Sequence, residues 1–547
     1  MEANKSSTGG FLKQGSILAV ASILVRVIGM FYRIPLANII GDEGNGIYSA
    51  AFEVYNILLI ISSYGMPMAV SKMVSAKCTK REYRGAYRIF QYAMLFSIMS
   101  GGLMALFVFF GAGWIERTFF SNFQGVSIPL KVLAPTIFVV AVMGTLRGLF
   151  QGRNTMLPTA VSQILEQIVN AVVSIVAAYY LMSDHSASDH LSAWGAAGGT
   201  MGTLLGAGSA LAFLIFLYAV YRPVLHRQAR RDRVGGRESV GECYHLIFWT
   251  VIPIILSQTV YQLSGIIDVT IFNYAMGMRG VSGTVISTLQ GIYSTKYRLL
   301  VSVPIAVSTA IASSMIPSLV ASVTRKNRKE AKDKVTMAIK FNMIIAFPSA
   351  VGLAVLAEPI IRLLFPSSDY VTGGMMLMTG STCVIFYALS TVTSGVLQSV
   401  DRMNLPVIHS LVSLVIHIVL VFGLLRYTSL GAYALVIGNV TYPLVVCVLN
   451  GNSVRKALGF KQEVVKTFCI PFLSSVIMGI LTFITYQVVF LVVHRIYIAI
   501  LPALCVAVAS YFALVLKLQG LNRAELYEFP MGRKMSIIAD RFHLLHD

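Results

Sequence analysis

Long apolar stretches follow one another along the whole chain, and they constrain its fold more than any other feature. A helix rises about 1.5 Å per residue, so roughly 20 apolar residues cross the hydrocarbon core of a bilayer. The pattern therefore predicts an all-α integral membrane protein with fourteen transmembrane helices. The predicted spans are residues 15–40, 46–71, 89–111, 129–151, 158–182, 194–221, 244–276, 284–322, 336–365, 372–400, 405–425, 430–450, 467–493 and 496–518. The eighth is long for one crossing, so we expect an extra outer segment or a break near Pro304.

Charged residues are too sparse for a soluble chain of this length. Only 12% of residues are charged and 56% are hydrophobic, with a mean hydropathy of +0.74. The basic residues concentrate at 72–88, 222–237 and 325–340, and the positive-inside rule makes these segments cytoplasmic, with both termini inside. Topology thus accounts for the net charge of +20, and no nucleic-acid partner is implied. The six cysteines stand singly, so no metal site is predicted.

Two short motifs occur twice in the same order. The sequence PMAVS at 67–71 returns as PIAVS at 304–308, 237 residues later, and GLFQ at 148–151 corresponds to GVLQ at 395–398. Such a parallel repeat is typical of transporters with a site between two halves. We predict an N-terminal six-helix lobe, a basic cytoplasmic linker, a C-terminal six-helix lobe, two additional helices and a cytoplasmic tail. Their limits are 1–221, 222–243, 244–450, 451–519 and 520–547.

The first span carries two arginines inside its apolar run. Arg26, Gly29 and Arg33 share one helix face, and the run ends in the polar turn at 41–46. An intramembrane arginine usually faces a cavity or a bundle interior, and its planar fork suits phosphate oxygens. We predict an anion site here, with Gly29 leaving room for the ligand. Alternatively, both arginines snorkel or pair with acids for stability alone.

Other polar residues of the first half lie on spans two, four and five. Glu53 lies at the same depth as Arg33, so the two form either a gate or a structural pair. Arg147 lies near the cytoplasmic end of span four, and we expect it to snorkel. Glu166 belongs to a polar stripe on span five, which indicates either a wet face or hydrogen bonding between helices. The stripe consists of Gln163, Glu166, Gln167, Asn170 and Ser174.

In the second half, Asp268 is the sole acid of span seven. A lone carboxylate there indicates a site for a coupling cation or a proton, or a carboxyl group kept neutral by burial. Span eight places Gln290, Ser294 and Arg298 on one face, at i, i+4 and i+8.

The sequences RVIG at 26–29, GDEG at 41–44 and YGMPMAVS at 64–71, with the twelve-plus-two layout, resemble the MATE/polysaccharide-exporter (MOP) superfamily. Within it the chain looks most like the stage V sporulation protein B family, relatives of the MurJ lipid II flippases. The resemblance implies two bundles in a V around a cavity that opens alternately to each side. The implied cargo is an undecaprenyl-pyrophosphate-linked saccharide, flipped from the inner to the outer leaflet of a bacterial cytoplasmic membrane.

The resemblance also assigns residues. Arg298 corresponds to a cavity arginine of the flippases, which adds it to Arg26 and Arg33 as a pyrophosphate ligand. Asp268 matches an aspartate that helps to bind sodium in some relatives, but His417 stands where the family has a supporting polar residue. His417 therefore either serves a proton or is satisfied by packing. Leu59 stands where the flippases carry a further arginine, which weakens the assignment to lipid II.

Other functions fit less well. The same fold serves multidrug or cation antiporters, whose cargo needs acids and aromatics, and other polysaccharide repeat units are alternative cargo. A membrane glycosyltransferase would need a larger outer domain, and a purely structural partner role is a further alternative. No nucleophile-and-base arrangement is present, so we predict no enzyme activity. We expect a monomer surrounded by membrane lipids, with no cofactor other than possible Na⁺ or H⁺ coupling.

Overall fold

The computed structural model describes residues 2–232, 240–459, 462–528 and 536–537, and all of its regular elements are helices. The helices of the first part are α1 (Glu2–Leu59), α2 (Met66–Thr79), α3 (Tyr83–Phe119), α4 (Ser127–Gly152), α5 (Leu157–Asp184), α6 (Leu191–Arg231), α7 (Val240–Met278) and α8 (Gly283–Gly291). Those of the second part are α9 (Leu299–Thr324), α10 (Arg328–Val355), α11 (Ala357–Leu364), α12 (Tyr370–Gly380), α13 (Cys383–Ser399), α14 (Asn404–Tyr427), α15 (Tyr433–Leu458), α16 (Ile470–Val493), α17 (Ile496–Lys517) and α18 (Arg523–Glu528). Three π-helical segments interrupt them, Ile60–Tyr64, Ile292–Arg298 and Val465–Cys469.

Most of these helices are long and apolar enough to cross a membrane. The described residues contain 11 such helices, or 12 if the bent pair Tyr370–Gly380 and Cys383–Ser399 forms one span. The stretch Ala21–Thr79 counts once, although it covers two predicted spans. The all-helical membrane fold is therefore confirmed, while the count of fourteen and the V arrangement remain predictions.

Gly41 separates the two spans contained in α1. Its backbone has φ 69° and ψ 177°, a conformation that favours glycine, at the start of the turn predicted from the sequence. The Asn45 side chain donates hydrogen bonds to the carbonyl oxygens of Ala37 (2.9 Å) and Gly41 (2.6 Å). Because these carbonyls lose helical partners at the break, the asparagine stabilises the kink.

The chain divides into two compact units, Met1–Gly291 and Ile292–Asp547. The boundary lies inside the eighth predicted span because α8 packs closely on the kink of α1. A side chain at Gly46 would collide with the backbone of Ser287, and one at Gly291 would collide with that of Asp42. These units are defined by packing, whereas the predicted lobes were defined by the sequence repeat. The lobes therefore remain a prediction.

In the first unit, α5 and α6 pack through small residues. Gly198, Gly202 and Gly206 of α6 face Ala178, Ser174 and Asn170 of α5 so closely that a methyl group at any of the three would collide. Small residues at such positions let helix backbones approach one another.

In the second unit, α18 folds back onto α10. Leu521 and Leu526 are buried with Phe341 and Ile344. The tail beyond Lys517 had no role assigned from the sequence, and here it completes part of the core.

A π segment precedes each copy of the repeated proline motif. Ile60–Tyr64 ends just before Pro67, and Ile292–Arg298 ends just before Pro304. The helix continues through Pro304, so the predicted break lies further upstream and takes the form of a π segment. Such segments often occur at functional sites.

Candidate functional site

A cavity of about 780 Å³ lies in the first unit against α2, α4 and α5. We call it the basic cavity, because Lys72 and Arg147 are the only charged residues among the described ones that line it. Its other lining residues are hydroxyl and amide side chains and apolar groups. The polar ones are Ser63, Ser71, Ser75, Gln151, Asn154 and Gln163, and the apolar ones include Leu59, Pro67, Met68, Val140, Met143 and Met156. The lining therefore suits a ligand with one polar anionic part and one apolar part.

Arg147 is held in a fixed orientation at the wall of this cavity. Its guanidinium donates to Glu166 Oε2 at 2.8 Å and to Ser162 Oγ at 3.0 Å. The Arg147 side chain is 12% exposed and that of Glu166 28%. The expectation that Arg147 snorkels is therefore wrong. Its guanidinium pairs with an acid on the next helix instead of extending to water.

The polar stripe of α5 has two roles. Asn170 and Ser174 are buried: Asn170 Nδ2 donates to the Tyr32 hydroxyl at 3.3 Å, and Ser174 Oγ donates to the carbonyl of Gly199 at 2.8 Å. This part of the stripe joins helices. Gln163 instead lines the basic cavity, and Glu166 orients its arginine.

On α1, Arg26 and Arg33 have exposed side chains. The space over Gly29 contains the amide of Gln167, because a Cβ atom at Gly29 would lie 3.0 Å from Gln167 Nε2. A ligand that reaches between the two arginines has to move this amide. The assignment of the arginines to a pyrophosphate stays a prediction.

Two acids of the first unit lie on or against α7. The Glu53 carboxylate packs on Gly265, where a methyl group would collide with it. Asp268 lies one turn further along α7 and is only 5% exposed. The pairing of Glu53 with Arg33 remains a prediction.

The residues predicted on span eight differ in their surroundings. Gln290 of α8 is fully buried, and its amide makes no hydrogen bond with any residue that the structure describes. Ser294 and Arg298 belong to the π segment Ile292–Arg298 and are half-buried.

Lys296 is 1% exposed and was not among the site residues predicted from the sequence. Its aliphatic chain packs on Gly373, and its charge attracts Asp369. A lysine within an apolar run, two residues before Arg298, was the available signal.

His417 is enclosed in the second unit. Its Nδ1 lies 3.0 Å from the carbonyl oxygen of Gly438, and its ring meets that of Tyr442 edge to face. A methyl group at Gly438 would lie 2.7 Å from the ring. This geometry favours the packing interpretation of His417.

Many long apolar helices, together with a cavity that has a charged lining, are typical of a multi-pass membrane transporter. Two solved structures show the same fold. One is "Lipid II flippase MurJ, inward closed conformation", with a TM-score of 0.65 at 16% identity, covering 91% of this chain and 97% of that one. Another is a multidrug resistance MATE family transporter in an inward-facing conformation, with a TM-score of 0.65 at 16% identity, covering 79% of this chain and 95% of that one.

The chain belongs to the polysaccharide biosynthesis protein family, whose model matches residues 11–323. The MatE model matches residues 253–422. The lipid II flippase MurJ of Bacillus subtilis is 25% identical over 482 residues, which are 85% of this chain and 86% of that protein. Stage V sporulation protein B of the same organism is 23% identical over 475 residues, 86% of this chain and 88% of that protein. These findings confirm the resemblance and the class of transporter rather than enzyme.

Proposed function

We propose that this protein flips a lipid-linked saccharide across the bacterial cytoplasmic membrane, with an undecaprenyl-pyrophosphate-linked, lipid II-like precursor as its cargo. The observation that carries the proposal is the basic cavity, which combines an oriented arginine and a lysine with an apolar wall. Relatives that match the chain nearly end to end include a lipid II flippase, which supports the same cargo class.

Different residues would bind different parts of the cargo. Arginine and lysine attract phosphate oxygens, and the arginine fork also fixes their geometry. Amides and hydroxyls of the basic cavity add neutral hydrogen bonds, and its methionines accommodate an isoprenoid chain. We also propose Arg26, Arg33 and Arg298 as anion ligands on the transport path, and Gly29, Glu53, Glu166, Gln290 and Ser294 as residues of a transport cavity or its gate. None of these eight is among the described residues that line the basic cavity.

Transport would proceed by alternating access between two six-helix lobes, within a fourteen-helix chain whose termini are cytoplasmic. Asp268 would take Na⁺ or H⁺ to reset the carrier. Moving one charge through 100 mV is worth about 2.3 kcal/mol, which is enough to bias two states separated by a few kcal/mol. His417 would either serve a proton in this step or support it through its packing on Tyr442 and its contact with the Gly438 carbonyl oxygen.

The test is complementation in cells depleted of their lipid II flippase. The wild-type chain should restore growth, Arg26→Ala should abolish rescue, and Arg26→Lys should retain part of it, because lysine keeps the charge but loses the fork. Arg117→Ala is the matched control, since Arg117 is exposed and donates only within its own helix.

Failure of the wild-type chain to rescue these cells, at normal expression, would exclude lipid II as its cargo. Rescue of a strain that lacks an exporter of another lipid-linked repeat unit would then identify the alternative. Full rescue by Arg26→Ala would remove Arg26 from the anion site.

A further inference from the structure

A second cavity of the first unit has the opposite charge character. It measures about 260 Å³ and lies where the kink of α1, the α3–α4 and α5–α6 connections and the start of α8 meet. We call it the acidic pocket. Glu43, Asp189 and His190 are its ionisable lining residues, and its remaining polar lining consists of hydroxyls and amides. These are Ser121, Asn122, Gln124, Ser192, Thr284 and Ser287.

The walls of this pocket are held in place before any ligand binds. Glu116 accepts hydrogen bonds from the backbone N–H groups of Gly125 (3.3 Å) and Ser127 (2.5 Å), which fixes the α3–α4 connection. His185 stacks on Trp194 at 3.9 Å and fixes the α5–α6 connection. Walls fixed in this way reduce the entropy cost of binding.

Several polar groups in the pocket are available to a ligand. The Glu43 carboxylate accepts a hydrogen bond from Ser192 Oγ at 2.8 Å, which leaves its other oxygen for a ligand. The side chains of Ser121, Gln124 and Asp189 are exposed and make no hydrogen bond with any described residue, so a ligand would replace water there. Together they offer both acceptors and donors, spread around one space.

The chemistry of the lining selects the ligand. No lysine or arginine is among the described residues that line the pocket, and two carboxylates repel an anion. The described residues contain no group of three or more His, Cys, Asp and Glu side chains suited to a metal ion. The space is several times the ~30 Å³ that one water occupies in the liquid. A neutral ligand with many hydroxyl groups satisfies all three conditions.

We propose that the acidic pocket binds a neutral saccharide, namely the sugar portion of the cargo on the outer side of the membrane. This assignment rests on the proposed function, because a protein that flips a lipid-linked saccharide carries a sugar across the membrane. Since α8 contributes Thr284 and Ser287 to the wall, a sugar in the pocket also links α8 to the connections of the first unit.

The experiment titrates the purified full-length protein with N-acetylglucosamine, which is neutral, and with glucuronic acid, which is anionic and of similar size. We expect saturable binding of the neutral sugar and at least about tenfold weaker binding of the acid. Asp189→Asn should weaken binding of N-acetylglucosamine by about tenfold, the effect of losing one charged hydrogen bond. Asp189→Asn should also reduce the difference in affinity between N-acetylglucosamine and glucuronic acid.

Asp184→Asn is the matched control. It removes the same charge at the end of α5, but Asp184 is 60% exposed and is not among the described residues that line the pocket. Its carboxylate lies 3.5 Å from His185 Nδ1, while the stacking of His185 on Trp194, which holds the connection, does not depend on this charge. Its binding should equal that of the wild type. Absence of saturable binding, equal binding of the two sugars, or equal losses in Asp184→Asn and Asp189→Asn would each overturn the proposal.

A second arm identifies the source of the sugar. Asp189→Asn should slow transport of the lipid-linked cargo, and an unchanged rate would restrict the pocket to free saccharides and overturn its assignment to the cargo. The binding arm needs no transport. Sugar binding without flipping would therefore refute the proposed function and the assignment to the cargo, but not the saccharide site itself. Flipping without sugar binding would refute this inference alone.

Discussion

The ammonium nitrogen of Lys340 lies 2.8 Å and 2.7 Å from the two carboxylate oxygens of Glu525, 185 residues further along the chain. The lysine side chain is only 1% exposed. Removing one partner of a buried ion pair leaves an uncompensated charge, which costs about 3–5 kcal/mol. We expect Glu525→Ala to lower the free energy of unfolding by that amount, measured by denaturant unfolding of the purified protein.

The exposed pair of Lys466 and Glu463 is the control. Its N–O distance is 3.7 Å, and its side chains are 38% and 44% exposed. Glu463→Ala should cost only about 0–1 kcal/mol. Equal destabilisation by both changes would show that burial of Lys340 does not decide the effect.

Arg147 provides the second prediction. Arg147→Ala should lower transport by about tenfold or more, because the basic cavity loses its oriented cation. The transport rate of Arg147→Lys should lie between those of the wild type and Arg147→Ala, because lysine cannot bind Ser162 and Glu166 with one planar group. Transport in proteoliposomes is the measurement. Arg153→Ala is the control, because Arg153 donates to Gln228 and lies over the Tyr221 ring, and it is not among the described residues that line the cavity. Similar losses of transport in Arg147→Ala and Arg153→Ala would show that removal of any positive charge in this region lowers transport, whether or not the residue lines the cavity.

Stability at acid pH is the third prediction. A hydrogen bond from Lys334, aided by one from Ser322, lowers the pKa of Glu330 below its usual value of 4.5. Because the folded pKa lies below the unfolded one, this contribution is complete above pH 4.5 and is lost as the pH falls through the folded pKa. Glu330→Gln should therefore reduce stability near neutral pH and flatten its decline in acid, measured as Tm against pH. Asp333→Asn, on the same helix, controls for the loss of one charge, and an unchanged acid slope in Glu330→Gln would contradict the assignment.

Asp268 provides the fourth prediction. Asp268→Asn should bind cargo nearly as well as the wild type but lose the dependence of transport on a Na⁺ or pH gradient, because a neutral amide carries no titratable charge. The measurement compares proteoliposomes with and without each imposed gradient. A wild-type rate with an unchanged dependence on both gradients would exclude the carboxylate as the coupling site.

The sequence predicted the features that depend on local chemistry. The apolar runs gave the helices, because burial in a bilayer requires long uncharged stretches. The turn at 41–46 was predictable because glycine and asparagine favour a break there, and Gly41 and Asn45 do form the kink.

Features that depend on tertiary packing could not be predicted from the sequence. Nothing local in the sequence indicates that Arg147 meets Glu166, 19 residues away on another helix, or that Lys340 meets Glu525. The acidic pocket was also missed, since its walls come from the kink of α1, two connections and the start of α8, which lie far apart in the sequence.

The π segment Ile60–Tyr64 has a consequence for how this family can vary. A π turn contains one residue more than an α turn but completes about the same rotation, so Ile60–Tyr64 takes up one extra residue without turning α2. In a purely α-helical stretch, one residue more or fewer would rotate everything beyond it by about 100°, and Lys72 would point away from the basic cavity. Relatives that differ by one residue within this segment would therefore keep the direction of this charge, whereas relatives with the same change further along α1 would lose it.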